Sequence, residues 1–542
     1  MMVRTPLTHV HSLQRQLVGT TSVLTMLTLA ACSGTLGEQA GEATYTHVVP
    51  SALMNEWDPA QMYTREPTAM RNVYETLTYY DSENEEVQPL LATDWESSED
   101  GLDWMFQLRD DVTFHSGEPL TAEAVAESIE RTMAVDGGAA YLWDAVAEID
   151  AADEHTLSFE LDYPAPLDLV TSAAYGAFIY EVPDDASSEP AEEDPDSPFY
   201  GEGWGTGPYT VAEFQPGEEF ELTLDQHGGY WRDWDDDQFE HLEFQVVAEE
   251  ATAAQLVESG EADGVQGLPN ELLESVSGHD DVQILETTSM QNVFAFLNTE
   301  SGPLADESLR QALVHSIDYN AIIEASEGDL VESSGIVPPG PFGAETDVEA
   351  PQYDPDLAEE LFEEAGYDMD NDIVELEFTY NEGEPIQHTA AELIQSQLAD
   401  INIEVELIGL PQPTQLDRGR DADPEERQDL YGGNWWPDNA EANGWYSALY
   451  ESEPTDEVFF NFSYYDNPDI DEDIAEVGEL SATDREAAEE LYAEMEEEII
   501  ADASSLLLGD VVYRRAIRDD VEGYVDNPLH PHTVFGYELW QG

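Results

Sequence analysis

Negative charge dominates this chain, in which 122 aspartate and glutamate residues face 15 basic ones, and all fifteen are arginine. The formal net charge is −107. A surface so rich in carboxylates repels itself unless concentrated salt screens it, over a Debye length of about 3 Å at 1 M. Arginine stays charged in alkaline fluid, whereas a lysine ammonium, with a pKa near ~10.4, begins to lose its proton. We therefore expect a protein exposed to the surroundings of a salt-loving, alkali-tolerant microbe.

The same composition still predicts a folded chain. Hydrophobic residues make up 41% and aromatic residues 10% of the sequence, which is more than an intrinsically disordered acidic chain carries. Nucleic acid and anionic membrane surfaces are excluded as partners, because both need clustered lysine or arginine. The absence of lysine also excludes Schiff-base chemistry and phosphate-binding loops that use a lysine. A length of 542 residues predicts two or more lobes.

The N-terminus reads as an export signal with a lipid-attachment site. Residues 1–20 contain no acidic residue, and Val18–Leu29 is largely apolar. The run Leu29-Ala30-Ala31-Cys32 resembles a bacterial lipobox, in which the cysteine is acylated and becomes the new N-terminus. We expect residues 1–31 to be a lipoprotein signal peptide, Cys32 to be lipidated, and residues 32–43 to form a tether. The alternative is an ordinary signal peptide that is cut after the small residues before Cys32.

The rest of the chain alternates strands and helices. Thr121 is a plausible cap for a helix over Ala122–Met133, and Thr156–Leu161 alternates as a strand does. The nearly continuous apolar run Asn292–Asn298 predicts a strand that is buried on both faces. Further predictions are a helix over Ala305–Ala325, a β-α-β run between 374 and 408, a long acidic helix over 482–502, and an acidic surface loop over Asp184–Ser197.

Several ordered segments carry a family resemblance. They are VYETL at 73–77, PLLATDW at 89–95, FQLRDDVTFHSGEPLTA at 106–122, GTGPY at 205–209, LRQAL at 309–313 and YDP at 353–355. In this order the chain resembles the extracytoplasmic solute-binding proteins of peptide and nickel ABC transporters, solute-binding family 5.

The resemblance implies an α/β fold of the two-lobed periplasmic-binding-protein type II class, with a discontinuous larger lobe and an extra N-terminal subdomain. Lobe I should comprise residues 44–290 plus 508–542, with the subdomain inserted at about 86–200, and lobe II residues 291–507. The lobes close over a solute by a hinge motion.

A function follows from this resemblance. We expect a monomer, lipid-anchored to the outer face of the cytoplasmic membrane, that captures a small peptide or similar amine-bearing solute and delivers it to ABC permease subunits. No cofactor, metal or catalytic residue is implied. An enzyme is disfavoured, because HExxH, GxSxG and GxGxxG motifs are all missing. A sensor or a surface adhesin on the same scaffold remains open.

The candidate ligand-binding residues are Trp435, Trp436, Asp438 and Asn439. In peptide-binding members of the family, an aspartate in a similar Trp-x-x-Asp setting pairs with the α-ammonium of the peptide, and Asp438 matches that position. A desolvated ammonium needs such a charge-assisted partner, and indole faces attract cations. The chain departs from the family after this point, since it continues Ala-Glu-Ala-Asn where many members have Asp-Pro. The alternative places Trp435 in the core and Asp438 in a turn cap.

Other solutes stay open on this scaffold, namely a nickel chelate, an oligosaccharide or an opine. Nickel-chelate members use arginines after the first helix, and the stretch 135–143 has none. The pair His530 and His532 is a weak metal motif. A ligand carboxylate would need an arginine, and the sequence places none in the cleft; those near matching segments or loops are Arg71, Arg310, Arg418 and Arg420.

Overall fold

The computed structural model describes residues 43–54, 57–62, 67–82, 84, 86–183, 186, 197–199, 201–217, 220–344, 350–368, 373–421, 423–452, 460–525, 527–531 and 533–542. These residues belong to the compact unit Glu42–Gly542. The signal peptide 1–31, the lipobox cysteine Cys32 and the tether up to residue 42 lie outside them. So do most of the predicted loop Asp184–Ser197 and His532.

The described strands follow one another along the chain in a fixed order. They are β1 (Thr44–Val49), β2 (Thr78–Asp81), β3 (Glu86–Pro89), β4 (Ala92–Ser97), β5 (Asp103–Leu108), β6 (Val146–Asp153), β7 (Thr156–Leu161), β8 (Tyr209–Gln215), β9 (Glu221–Gln226), β10 (His241–Val246), β11 (Gly264–Gln266), β12 (Val282–Leu297), β13 (Leu330–Val331), β14 (Val374–Asn381), β15 (Ile403–Leu410), β16 (Leu430–Trp435), β17 (Ser505–Arg518), β18 (Val521–Glu522) and β19 (Trp540–Gln541).

The described helices connect these strands. They are α1 (Pro67–Met70), α2 (Ala122–Val135), α3 (Leu167–Val170), α4 (Glu250–Ser259), α5 (Asn270–Val276), α6 (Glu307–Ser316), α7 (Tyr319–Ala325), α8 (Pro355–Glu364), α9 (Pro385–Ala399), α10 (Gln412–Gly419), α11 (Asn443–Tyr450), α12 (Pro468–Thr483) and α13 (Arg485–Ala501). Short 3₁₀ turns lie at Pro59–Gln61, Ala140–Trp143, Pro303–Ala305, Pro424–Glu426 and Gly536–Glu538.

One large mixed sheet organises the molecule. Of the described strands, eleven join it in the order β15-β14-β16-β12-β17-β11-β1-β10-β9-β8, with β13 attached to β17. The strands β14, β15 and β16 run parallel where they pair, and the helix α9 connects β14 to β15, as a parallel crossover requires. At the other end β1 lies parallel to both β10 and β11. The fold is therefore α/β, as the sequence predicts.

Two long strands join the halves of this sheet. β12 and β17 are antiparallel partners from Val282↔Arg518 to Phe296↔Ser505. Their register shifts between Thr288 and Asn292, where β-bulges interrupt the ladder. The predicted strand Asn292–Asn298 thus begins ten residues earlier than the apolar run suggests, because the first half of β12 alternates between exposed and buried positions. The predicted lobe boundaries, 290/291 and 507/508, fall inside β12 and β17 and stay predictions.

A second, four-stranded sheet lies apart from the first. Its order is β4-β5-β7-β6 and all its pairs are antiparallel. The helix α2 covers it, and Thr121 caps α2 by accepting the amide proton of Ala124 at 3.2 Å. These elements fall within the predicted subdomain 86–200 and enclose their own core cluster, with Phe106, Val125 and Leu157 fully buried.

One predicted helix is wrong in its continuity. The stretch Ala305–Ala325 forms two helices, α6 and α7, because the backbone at Ile317 is extended, with φ −93° and ψ 122°. Asp318 then caps α7, since its carboxylate accepts from the amide of Ala321 at 3.2 Å. The predicted apolar stripe survives this break, and Leu309, Leu313 and Ile317 are all fully buried.

Candidate functional site

A cleft of about 900 Å³ opens along the middle of the large sheet. Its described walls come from both predicted lobes, including the segments around Thr68, Tyr175 and Gln266 on one side and 381–387 and 431–438 on the other. The two long strands β12 and β17 form its floor through residues 289–293 and 511–515. This volume lies within the ~300–1,000 Å³ range of small-ligand sites.

The strand β16 presents the predicted site loop to this cleft. Trp435, at the end of β16, pairs with Asn292 of β12. Gln415 fixes the strand from α10, because its amide donates to the carbonyl of Gly432 at 2.9 Å. Gln387 of α9 donates to the side-chain oxygen of Asn434. The loop that follows β16 is thus anchored on three sides before it reaches Asp438.

The structure brings Trp435, Trp436 and Asp438 to the cleft wall. Trp435 is held from behind, because its indole nitrogen donates to the carbonyl of Gly444 at 3.1 Å and its ring meets Phe460 edge-on at 5.1 Å. Trp436 is 38% exposed. The fourth predicted residue, Asn439, is not among the described residues that line the cleft. Trp435 is therefore fixed against the core, and Trp436 is free to cover a ligand.

Asp438 lies in an apolar environment that disfavours the charged form of its carboxyl group. Burial raises the pKa of its carboxyl group to about 6, and a hydrogen bond from the Tyr141 hydroxyl partly opposes that shift. Tyr141 belongs to the 3₁₀ turn Ala140–Trp143, so this hydrogen bond joins the loop after β16 to the predicted subdomain 86–200. A carboxylate of this kind gains from any cation that replaces the water it has lost.

The four arginines singled out from the sequence lie elsewhere. Arg71 is partly buried and lies near the rings of Tyr79 and Phe535. Arg310 donates to the backbone carbonyls of Leu304, Asp502 and Ala503. Arg418 pairs with Glu377, and Arg420 lies over Phe460. Within the described part of the chain, none of the four lines the cleft.

Two other arginines do line it, and both come from β17. Arg514 pairs with Asp329 at 2.7 Å. Arg515 is only 3% exposed, donates to the hydroxyl of Tyr524 and lies 5.0 Å from the centre of that ring. Sequence reasoning missed both because it singled out the arginines near the family segments and loops, and neither residue of this C-terminal strand lies in one of them. The pair of adjacent arginines in a chain with so few was the available signal.

Polar contacts outside the cleft join residues of the predicted lobe I to residues of the predicted lobe II. Arg485 of α13 holds both carboxylate oxygens of Asp168 in α3 at 2.8 Å through one terminal nitrogen. Tyr80 of β2 donates to the carbonyl of Gly340 at 2.7 Å. Phe342 lies 5.0 Å below the Arg485 guanidinium, and these residues surround a smaller cavity of about 310 Å³.

Two features are absent from the described residues. No group of three or more histidine, cysteine, aspartate or glutamate side chains among them is arranged to hold a metal ion. In the same residues, no helix combines the length and the apolar character that crossing a membrane requires.

The chain belongs to the bacterial extracellular solute-binding proteins, family 5, whose model matches residues 86–457. Members of this family are solute-binding components of ABC importers, and the α/β fold of this chain matches the two-lobed structures of that class.

Individual relatives carry different solutes in their names. The probable D,D-dipeptide-binding periplasmic protein DdpA of Escherichia coli (strain K12) is 28% identical over 84% of this chain and 86% of its own length. The nickel-binding periplasmic protein of the same organism is 26% identical over 73% of this chain and 77% of its own length.

Among solved structures, NikA from Brucella suis in complex with Fe(III)-EDTA has a TM-score of 0.79 at 22% identity and covers 92% of this chain and all of its own. DppA from Helicobacter pylori in complex with the peptide STSA has a TM-score of 0.71 at 20% identity, over 92% of this chain and 98% of its own. At these identities the structures bear on the fold alone, which they share with this chain.

Proposed function

We propose that this protein captures a small peptide or a similar amine-bearing solute in the cleft and delivers it, as a monomer, to the permease of an ABC importer without chemical change. The observation that carries the proposal is the carboxyl group of Asp438, desolvated beside Trp435 and Trp436 at the wall of a roughly 900 Å³ cleft. The relatives named for dipeptides support the peptide as cargo.

The physical role of Asp438 is to receive the solute's ammonium group. In the ligand-free protein its carboxyl group has Tyr141 as a neutral partner. An incoming ammonium supplies both a hydrogen bond and an opposite charge, and such bonds contribute roughly 1.5–3 kcal/mol. Trp436, partly exposed, can cover the bound cation with its indole face, which adds about 0.5–1 kcal/mol or more where water is excluded.

The test is calorimetric titration in molar sodium chloride. Synthetic peptide pools of mixed sequence, two to five residues long, are titrated into the soluble form that lacks residues 1–32. The same pools with acetylated N-termini remove the ammonium. We expect Asp438→Asn to lower the affinity for free pools at least about tenfold and to abolish the discrimination against acetylated pools.

The matched control is Asp94→Asn, which changes an exposed aspartate of β4 that is not among the described residues of the cleft wall and should bind like the unchanged protein. If no pool binds, peptides are not the cargo. If pools bind and Asp438→Asn matches the control, the site assignment fails.

A second candidate cargo is a nickel chelate, and the relatives and neighbours named for nickel favour it. In the described residues no cluster of metal-binding side chains is present, so such a solute would arrive with its own ligands. Oligosaccharides and opines are further candidates on the same scaffold, since adjacent tryptophans can stack on sugars as well. Native mass spectrometry of the protein purified from its host identifies the carried solute directly, and a mass other than that of a peptide would replace the first proposal.

The location of the protein follows from its sequence. We infer that Cys32 is acylated and tethers the mature chain to the outer face of the cytoplasmic membrane, in fluid of high salt content. Cys32→Ser should move the protein from the membrane fraction to the soluble fraction when expressed in a salt-loving host. Unchanged membrane association of this variant would refute the anchor.

A further inference from the structure

We propose that five aromatic rings beside Asp438 form an apolar pocket, which selects a large apolar side chain on the residue that carries the solute's ammonium group. All five line the described cleft, and they are Phe296, Tyr431, Trp435, Phe460 and Phe462. This inference rests on the proposed function and specifies the cargo further. The favoured solute is a peptide, or a related amine, whose N-terminal residue is bulky and uncharged.

The first observation is which side chains share one face of the large sheet. Successive side chains of a strand point to opposite faces, so Tyr431, Gly433 and Trp435 of β16 point the same way. On the neighbouring strand β12, Phe294 lies opposite Gly433 and Phe296 lies opposite Tyr431. Aromatic rings therefore surround a position that has no side chain of its own.

Gly433 determines how closely these rings approach the strand. A Cβ at this position would lie 3.3 Å from the ring of Phe296 and 3.4 Å from the ring of Tyr431. Both distances are shorter than the ~3.5–4.0 Å at which carbon atoms pack best. The two rings thus rest against bare backbone, and any side chain at Gly433 would have to displace rings that line the cleft.

The second observation is that the rings pack into one continuous surface. Tyr431 stacks on Phe462, with 3.9 Å between the ring centres and 15° between the planes. Phe460 meets Phe462 edge-on at 6.3 Å and Trp435 edge-on at 5.1 Å. Each ring is held by its neighbours, and the surface ends at Trp435, three residues before Asp438. The apolar pocket is therefore adjacent to the carboxyl group that we propose as the ammonium site.

The third observation is the charge of this wall. Among the described cleft residues between 412 and 462, only Asp438 is charged. Arg420 lies 5.1 Å from the ring centre of Phe460 but is not one of the described residues of the cleft wall. A charged solute side chain would lose its water here without gaining a partner. An apolar side chain gains free energy in proportion to the area that it removes from water.

The chain's overall charge gives these apolar contacts their importance. With a net charge of −107, we expect the protein to work in concentrated salt, which weakens the attraction between charges. The gain from burying apolar area is not screened in this way. In such surroundings an apolar side chain distinguishes one solute from another better than a charged group does.

The experiment compares defined tripeptides by calorimetric titration in molar sodium chloride, against the soluble form that lacks residues 1–32. The peptides are Phe-Ala-Ala, Leu-Ala-Ala, Ala-Ala-Ala and Asp-Ala-Ala, with Ala-Ala-Phe as the control for position. The variants are Gly433→Ala and Phe460→Ala. The matched control is Gly228→Ala, because a Cβ there would meet nothing within 4 Å and Gly228 is not among the described residues of the cleft wall.

We expect the unchanged protein to bind Phe-Ala-Ala about ten- to hundredfold more tightly than Ala-Ala-Ala, with Leu-Ala-Ala between them. Asp-Ala-Ala should bind more weakly than Ala-Ala-Ala. Gly433→Ala and Phe460→Ala should each bring the ratio of the first two affinities closer to one, and Gly228→Ala should leave it unchanged. The comparison of peptides on the unchanged protein needs no variant to fold.

Equal affinity of the unchanged protein for Phe-Ala-Ala and Ala-Ala-Ala would overturn the inference, and so would an equal gain from Ala-Ala-Phe. An unaltered ratio in both pocket variants would also overturn it. In each case the proposed function stands as long as Asp438→Asn weakens the binding of these peptides. If no peptide binds, the proposed function and the inference fail together.

Discussion

The ion pair between Asp168 and Arg485 should hold the subdomain against the opposite side of the molecule. The carboxylate is 7% exposed and the guanidinium 41% exposed, and the two are 317 residues apart in sequence. Breaking a fully buried ion pair costs about 3–5 kcal/mol, whereas an exposed pair contributes about 0–1 kcal/mol. Because only one partner is buried, we expect Arg485→Gln to lower the free energy of unfolding by about 2 kcal/mol.

A double-mutant cycle separates the energy of this ion pair from that of the neighbouring contacts of Tyr80 and Phe342. Asp168→Asn removes the buried charge together with its need for a partner, so the double variant Asp168→Asn/Arg485→Gln should be little less stable than Asp168→Asn alone. The expected coupling energy is about 1–1.5 kcal/mol. It is measured by urea unfolding in molar sodium chloride, with Arg518→Gln as the control for losing a pair whose carboxylate is more exposed.

The reasoning fails if the two substitutions are additive within about 0.5 kcal/mol, because the pair would then contribute no more than surface charges do. It also fails if Arg518→Gln, whose partner Asp520 is 48% exposed, destabilises as much as Arg485→Gln.

Three further predictions concern single sites. Burial raises the pKa of Asp438 from 3.8 to about 6, so the affinity for a cationic solute, measured by calorimetry, should rise as pH passes 6. The free energy of unfolding without solute, followed by thermal unfolding, should fall by up to about 3 kcal/mol between pH ~4 and ~6. Both changes should vanish in Asp438→Asn. Gly205→Ala would place a Cβ 1.8 Å from a backbone carbonyl oxygen, and Gly228→Ala would meet nothing within 4 Å, so thermal scans should show a large loss for the first alone, and equal scans would refute the packing. Leu313→Ala, at a fully buried site, should lower the free energy of unfolding in urea by about 2–5 kcal/mol. Leu357→Ala, at a 36% exposed site, should lower it by under ~1 kcal/mol, and similar losses for the two variants would contradict the burial.

Local patterns in the sequence predicted much of the fold. Capped helices and alternating strands such as Ala122–Met133 and Thr156–Leu161 are confirmed within two residues, because neighbouring residues alone decide them. The helices α11 and α12 were not predicted. α11 begins without a side-chain cap, and its buried aromatic residues Trp445 and Tyr446 are explained by packing between distant segments.

The site was only partly predictable for the same reason. Asp438 and its tryptophans form a compact motif that can be found by reading the chain. Arg515 lines the same cleft and Tyr141 forms a hydrogen bond with Asp438, and both come from segments distant in sequence from that motif. Nothing in the spacing of these residues announces that they meet, because the register of β17 against β11 and β12 determines it.

The order of strands in the large sheet constrains how the chain is made. β1, near the start of the described chain, lies between β10 and β11, and β11 is completed by the far end of β17. The part of the sheet made of β11, β1, β10, β9 and β8 therefore lacks its neighbour β17 until residue 515 has been synthesised. Contacts of such sequence separation form slowly, so the large sheet stays incomplete for most of the chain's synthesis. In a polypeptide that is exported through a narrow channel before it folds, such late completion of the main sheet would favour translocation.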